Sequence, residues 1–185
     1  MAPMKHAVSS EEVIRLFGLD GVNYYAQDSG TQLHAPTADF LASVGLPTDQ
    51  TFVSRSEPEN GFPTPRELGL LFDRQSRICP PEQRRWAVLG SLVTAVIALD
   101  PETGTVHAYP EGEDTSQLLH RDVESFVFTL CAFRRLVDAY TEDEDEVESY
   151  AYEFRQSVTG IDPTPLADED TEWNRLLDEV LEGMW

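Results

Sequence analysis

The sequence is poor in lysine, cysteine and histidine, and each shortage removes a class of chemistry. Of its 13 basic residues only Lys5 is a lysine; the others are arginines. A phosphate cradle of the Walker type needs a glycine-rich loop that delivers a lysine to the start of a helix. Neither that sequence nor a G-x-G-x-x-G run occurs, so no nucleotide-binding motif is present. The two cysteines, Cys79 and Cys131, stand far apart and form no paired motif. Two free thiols in a reducing cytoplasm are the expectation, although sequence alone does not decide whether the two pair. Cys131 falls near an apolar helical stripe, as a small core residue would; Cys79, before Pro80 and Pro81, reads as a candidate for exposure. The histidines His6, His34, His107 and His120 are scattered and lack the close spacing of zinc ligands. Ser91 follows Gly90 but lacks the second glycine of a nucleophile elbow. No apolar run reaches the ~18 residues of a membrane span, and Met1 to Ser10 has no apolar signal-peptide core. The expectations are a cytoplasmic protein with no catalytic residue, no metal and no cofactor.

Acid is what the sequence has in excess. Its 34 aspartates and glutamates against 13 basic residues leave a formal net charge of −21 on 185 residues. That field repels phosphate backbones and disfavours direct nucleic-acid binding. It attracts and steers a basic protein; the plainer reading is that it only keeps the chain in solution. The charge is uneven. Residues 141–185 hold 15 acids and two arginines, whereas Arg66, Arg74, Arg77, Arg84 and Arg85 crowd into twenty residues earlier in the chain. The densest acidic run is Glu142, Asp143, Glu144, Asp145 and Glu146, with Glu148 behind it. It lacks the central glycine of a calcium loop. These six residues are the candidate partner-binding set. The alternative is a solvated helix start, where carboxylates meet the helix dipole favourably. Carboxylates are so many that an acid–base pair always exists on paper, which carries no catalytic signal.

Length and the 41% of hydrophobic residues suit one domain over 1–185, with an N-terminal tail (1–8) and an acidic helical segment (141–185). Ser9 and Glu12 form a capping box ahead of Val13, Leu16 and Phe17, and Gly18 is the stop. A second helix is predicted from Thr37, as cap, to Val44, and a short strand from Thr51 to Arg55. Ser56 to Pro81 reads as mostly irregular, with Glu67 to Phe72 undecided between helix and strand. Trp86 to Leu89 is a strand, and Leu92 to Leu99, apolar on both faces, reads as a strand buried on both sides. Asp100 to Gly104 turns the chain into a return strand from Thr105 to Tyr109. His107 in that strand reads as a packing or surface residue. Asp122 caps a long helix, and two more helical stripes follow, Val147, Tyr150, Ala151, Phe154 and then Trp173, Leu176, Leu177, Val180, Leu181, Met184. Helices, then strands, then helices predict an α+β fold, an antiparallel sheet flanked by helices with a helical C-terminal third. Phe40, Leu41, Val44, Trp86, Val88, Val96, Ile97, Leu99, Phe126 and Leu130 are expected in one core.

Several segments resemble the SUKH superfamily, in particular its fourth family. Phe40-Leu41-Ala42-Ser43-Val44-Gly45-Leu46-Pro47 is similar to an FL-x-x-x-GLP segment. Leu89-Gly90, then Val96-Ile97-Ala98-Leu99-Asp100 with Thr103-Gly104-Thr105-Val106, is similar to that family's LG … I-x-LD-x-x-TG-x-V hairpin. Asp122-Val123-Glu124-Ser125-Phe126 resembles its S-x-x-x-F helix, with arginine and aspartate at the usual asparagine–serine start, and Trp173 has a counterpart there too. The resemblance spans about Glu11 to Trp185, and no motif in it is catalytic. It implies an α+β fold and an immunity protein of a bacterial polymorphic toxin system. Such a protein binds a cognate toxin, often a nuclease or nucleic-acid deaminase, in a stoichiometric protein complex. A basic toxin domain is then the expected partner, with no nucleic acid and no membrane. A non-toxin regulatory scaffold is the alternative, and a carboxylate-based enzyme the least favoured reading.

Overall fold

The computed structural model describes residues 6–26, 32–59, 62–142 and 144–185, with only the backbone at 56–59, 62–63, 142 and 144. Those residues form six α-helices and nine β-strands in an α+β arrangement. Helix α1 (Ser10–Phe17) starts where the Ser9 side chain accepts the Glu12 N–H at 3.2 Å. Only this half of the capping box is made by Ser9 and Glu12. The Glu12 carboxylate pairs instead with Arg135, tying α1 to the long C-terminal-half helix. Strands β1 (Val22–Asn23) and β2 (Leu46–Pro47) form a small antiparallel pair around α2 (Ala35–Ser43). That helix begins before the expected Thr37 cap, because Pro36 occupies its first turn, where a missing N–H costs nothing. Thr37 is buried, its hydroxyl 3.4 Å from His34 Nδ1. Gly45 ends the segment at φ +85°, and a Cβ there would lie 2.6 Å from Val22.

Next come β3 (Phe52–Ser54), β4 (Ser56–Glu59), β5 (Phe62–Glu67) and α3 (Leu68–Arg74). The stretch from Ser56 is therefore not mostly irregular. It forms an antiparallel arm and a helix. Pro58, Pro63 and Pro65 argue against strands in a sheet interior, but β4 is an edge strand and β5 pairs with β6 only at Arg66 and Glu67, beyond its prolines, so proline is tolerated in the arm.

The main sheet continues through β6 (Ala87–Leu92), β7 (Ala95–Leu99), β8 (Val106–Tyr109) and β9 (Gln117–His120), antiparallel throughout, in the order β4-β5-β6-β7-β8-β9. β3 shares with β5 the other edge of β6. Gly90 allows this, since a Cβ there would lie 2.3 Å from the Val53 carbonyl oxygen. The first hairpin turn falls at Val93 and Thr94, not before Leu92, so Leu92 belongs to β6. Val93 adopts φ +51°, a conformation that β-branched residues rarely take. High strand propensity at both positions hid that turn. The second turn is as expected, with Asp100 accepting the Glu102 N–H at 2.9 Å and Gly104 at φ +79°.

Alternation along the strands divides the interior in two, where one core was expected. Leu89, Ile97, Leu99, Val106 and Ala108 face the larger cluster, with Phe40, Leu41, Val44, Phe126 and Leu130. Val88, Val96, Ala98 and Tyr109 face a smaller one with Leu68, Leu71, Phe72 and Cys79, against which Trp86 packs. Both faces of β7 are buried, as its uninterrupted apolar sequence predicts. The larger cluster is covered by α4 (Val123–Glu142), α5 (Val147–Ile161) and α6 (Glu172–Leu181). Asp122 caps α4, taking the Ser125 N–H at 2.7 Å, and Thr171 caps α6 through the Asn174 N–H at 3.3 Å. Fully buried Trp173 lies among the rings of Phe126, Phe133 and Phe154, with centroids 6.4, 5.7 and 6.4 Å away. Among the described residues, no helix is long and apolar enough to cross a membrane.

Candidate functional site

The acidic run is a helix–turn–helix corner. α4 ends at Glu142, a single 3-10 turn spans Glu144–Glu146, and α5 starts at Val147. Asp143 lies outside the described residues, as do the side chains of Glu142 and Glu144. Asp145, Glu146 and Glu148 are exposed, and among the described residues Glu146 and Glu148 enter no ion pair. Glu148 sits in the first turn of α5, where the helix dipole favours a carboxylate.

Beside this corner, α5 and α6 leave a groove of about 420 Å3 lined by Val147, Glu148, Ala151, Tyr152, Arg155 and Leu181. Tyr152 is 65% exposed; Leu181 and Met184, expected on the apolar stripe of the last helix, are 38% and 63% exposed, because the helix ends at Leu181. The Arg155 guanidinium donates from Nη1 to Asn174 Oδ1 at 2.7 Å, and Asn174 Nδ2 donates to the Asp168 carbonyl at 2.8 Å. A smaller hollow, about 230 Å3, borders the other flank of α5 against α4. α5 is thus a ridge between two depressions. The sequence named Val147 and Ala151 as packing residues but passed over Tyr152. The available signal was phase: an aromatic between Ala151 and Phe154, off the helix's apolar stripe, points outward.

The arginine-rich stretch lies on the opposite side of the sheet, around α3. Arg84 makes a two-pronged contact with Asp73, 3.1 and 2.6 Å. Hydrogen bonding to Arg84 holds the Asp73 carboxyl below its ordinary range. Arg77 donates to the Glu113 carbonyl, lies 3.6 Å from Asp114 and stacks 4.1 Å over the Phe72 ring. Cys79, expected as a candidate for exposure, is buried beside α3, and burial pushes its thiol up. Cys131 is buried in α4, its thiol pushed up to about 12 by burial, so neither sulfur is activated. His107 stacks on Trp86 at 4.4 Å, and its imidazole is held below its ordinary value by burial.

The densest polar cluster is internal. Trp173 Nε1–H donates to His120 Nε2 at 2.8 Å. An indole can only donate, so His120 is neutral and carries its proton on Nδ1. That nitrogen lies 3.6 Å from Asp162 Oδ2, beyond hydrogen-bond length. Asp162 accepts the Arg121 N–H, the Ser125 hydroxyl and the Thr164 N–H, each at 3.0 Å. Burial works to raise the Asp162 carboxyl, but His120 and these donors outweigh it and hold the group well below the usual carboxylate range. Burial holds His120 below its own. A serine, a histidine and an aspartate thus meet, but all three are buried and their bonds join β9, α4, α5 and α6. The arrangement fastens the helical layer to the sheet.

Exposed carboxylates, an exposed tyrosine and a groove lined by both Glu148 and Arg155 thus lie together at and beside the start of α5. A model of the SUKH-4 immunity protein family matches residues 8–179, and the chain belongs to that family. Neither a curated protein nor a solved structure gives a significant match. The family supports an immunity role and with it a protein partner, a toxin.

Proposed function

We propose that this protein neutralises a cognate toxin by occupying it in a one-to-one complex, and that the toxin is a nuclease or nucleic-acid deaminase with a basic substrate channel. Family membership over residues 8–179 is the observation that carries the reading. Charge supports the choice of toxin. An enzyme that grips nucleic acid carries a basic surface, and a protein of net charge −21 complements it without itself binding nucleic acid. Glu142, Asp143, Glu144, Asp145, Glu146 and Glu148 border the partner-facing region in this reading and act mainly by steering the encounter. The complex forms in the cytoplasm, without metal or cofactor, and requires no catalysis by the immunity protein.

Co-expression with the cognate toxin domain tests the proposal. Rescue of growth and co-purification of an equimolar complex are expected. Continued toxicity, with both proteins soluble and no complex, would overturn it.

A further inference from the structure

We propose that the groove between α5 and α6 is the anchoring slot for a basic segment of the toxin, taking an arginine or lysine side chain at its Glu148 end. The inference rests on the immunity reading and deepens it, by separating the residues that hold the partner from the acids that steer it. At about 420 Å3 the groove is large enough for a long side chain with its adjoining backbone. Its wall is Tyr152, whose ring is 65% exposed on a helix whose neighbouring Ala151, Phe154 and Val158 are all buried. The aliphatic stem of a lysine or arginine lies well against such a ring and against Leu181, and the cationic head gains from the aromatic face and from Glu148.

The groove also has a direction. Glu148 and Arg155 both line it, seven residues apart on α5, or roughly 10.5 Å at the rise of an α-helix. That distance matches about three residues of extended chain. A segment with a basic side chain at one end and a backbone carbonyl or carboxylate at the other satisfies both ends; a uniformly basic segment meets Arg155 as a like charge. The Asn174 contact fixes the Arg155 guanidinium beforehand, which lowers the ordering cost of binding. A second copy of this chain is the wrong occupant, because a two-fold pairing sets like corners of two molecules of net charge −21 against one another.

The test is binding kinetics with the purified cognate toxin domain, immobilised and probed with variants of this chain whose melting temperatures match wild type. Tyr152→Ala should raise the dissociation rate at least tenfold, Leu181→Asp should remove measurable binding, and Tyr152→Phe should keep the wild-type rate. Glu146→Gln, outside the groove, should slow association only, and this effect should vanish at high salt, whereas Glu148→Gln, at the cation-binding end, should also raise the dissociation rate. Wild-type dissociation rates for both Tyr152→Ala and Leu181→Asp would overturn the slot while leaving the immunity reading intact. Failure of the wild-type protein to bind the toxin would sink the immunity reading, and the slot with it. A wild-type dimer in sedimentation that Leu181→Asp disperses would assign the groove to a second copy and likewise overturn the proposal.

Discussion

The two faces of the central sheet are built and charged differently. On one face, α3 and the chain after it cover a small cluster around Phe72 and Tyr109, and two of the arginines there are engaged at home. Arg84 is held by Asp73, and Arg77 by Phe72, Asp114 and the Glu113 carbonyl. On the other face, α4, α5 and α6 cover the larger cluster, and Glu146 just before α5, with Glu148 and Tyr152 on it, is exposed to solvent. Sequence counts show two charge clusters of opposite sign as if they were equivalent poles. In the fold, Arg77 and Arg84 of the basic pole are matched within the molecule, whereas Glu146 and Glu148 of the acidic one are exposed and, among the described residues, enter no ion pair. A charge organises an encounter only where its own protein leaves it unmatched.

The largest effect that sharpens this contrast is on stability. Trp173→Ala removes the centre of the helical face and leaves the buried His120 Nε2 without its donor, so a loss of about 3–5 kcal/mol, toward the upper end, is expected in chemical denaturation. Phe72→Ala, on the smaller face, should fall toward the lower end of the same range. A greater loss from Phe72→Ala would reverse the ranking of the two faces.

Acid provides a second, intermediate comparison. In the unfolded chain His120 binds a proton near its ordinary value of ~6.5; in the fold, burial keeps it neutral to lower pH. Below about 6.5 the unfolded state binds the additional proton, so stability falls as the pH drops. Asp162 acts further down. Its contribution is complete above its ordinary ~3.9 and is lost as the pH falls toward its depressed folded value. His107 contributes in the His120 window from the other face, more weakly because it is only partly buried. Denaturation midpoints between pH 7 and 4 should therefore flatten more in His120→Gln than in His107→Gln. Equal flattening would mean that the internal cluster is not the source of the acid sensitivity. The smallest effect belongs to the exposed Arg84–Asp73 contact. Asp73→Asn should barely move the melting temperature at physiological salt, where such pairs are screened.

Elements with strong local chemistry were readable before the fold was known. The Asp122 cap and the 3–4 spacing from Val123 onward located α4, and Pro101 with Gly104 located the β7–β8 turn. The misses share a physical cause, since each depends on contacts distant in sequence. The prolines of β4 and β5 are tolerable only because those strands form an edge arm. Val93 holds a left-handed conformation while its N–H bonds the Thr51 carbonyl across the sheet. Cys79 is buried because α3 packs on Val88 and Tyr109. At the candidate site the acids were legible as a run, but the groove was not. It exists because α6 brings Leu181 to α5, two elements whose helical periodicity is visible in sequence and whose juxtaposition is not.

The most direct test of the account is a titration of the cognate toxin domain, held well above its dissociation constant, with this protein while the toxin's activity is measured. Stoichiometric neutralisation predicts a straight decline to zero activity at one molar equivalent. Complete inactivation by a small fraction of an equivalent would reveal catalysis, and undiminished activity past several equivalents would contradict the immunity role itself.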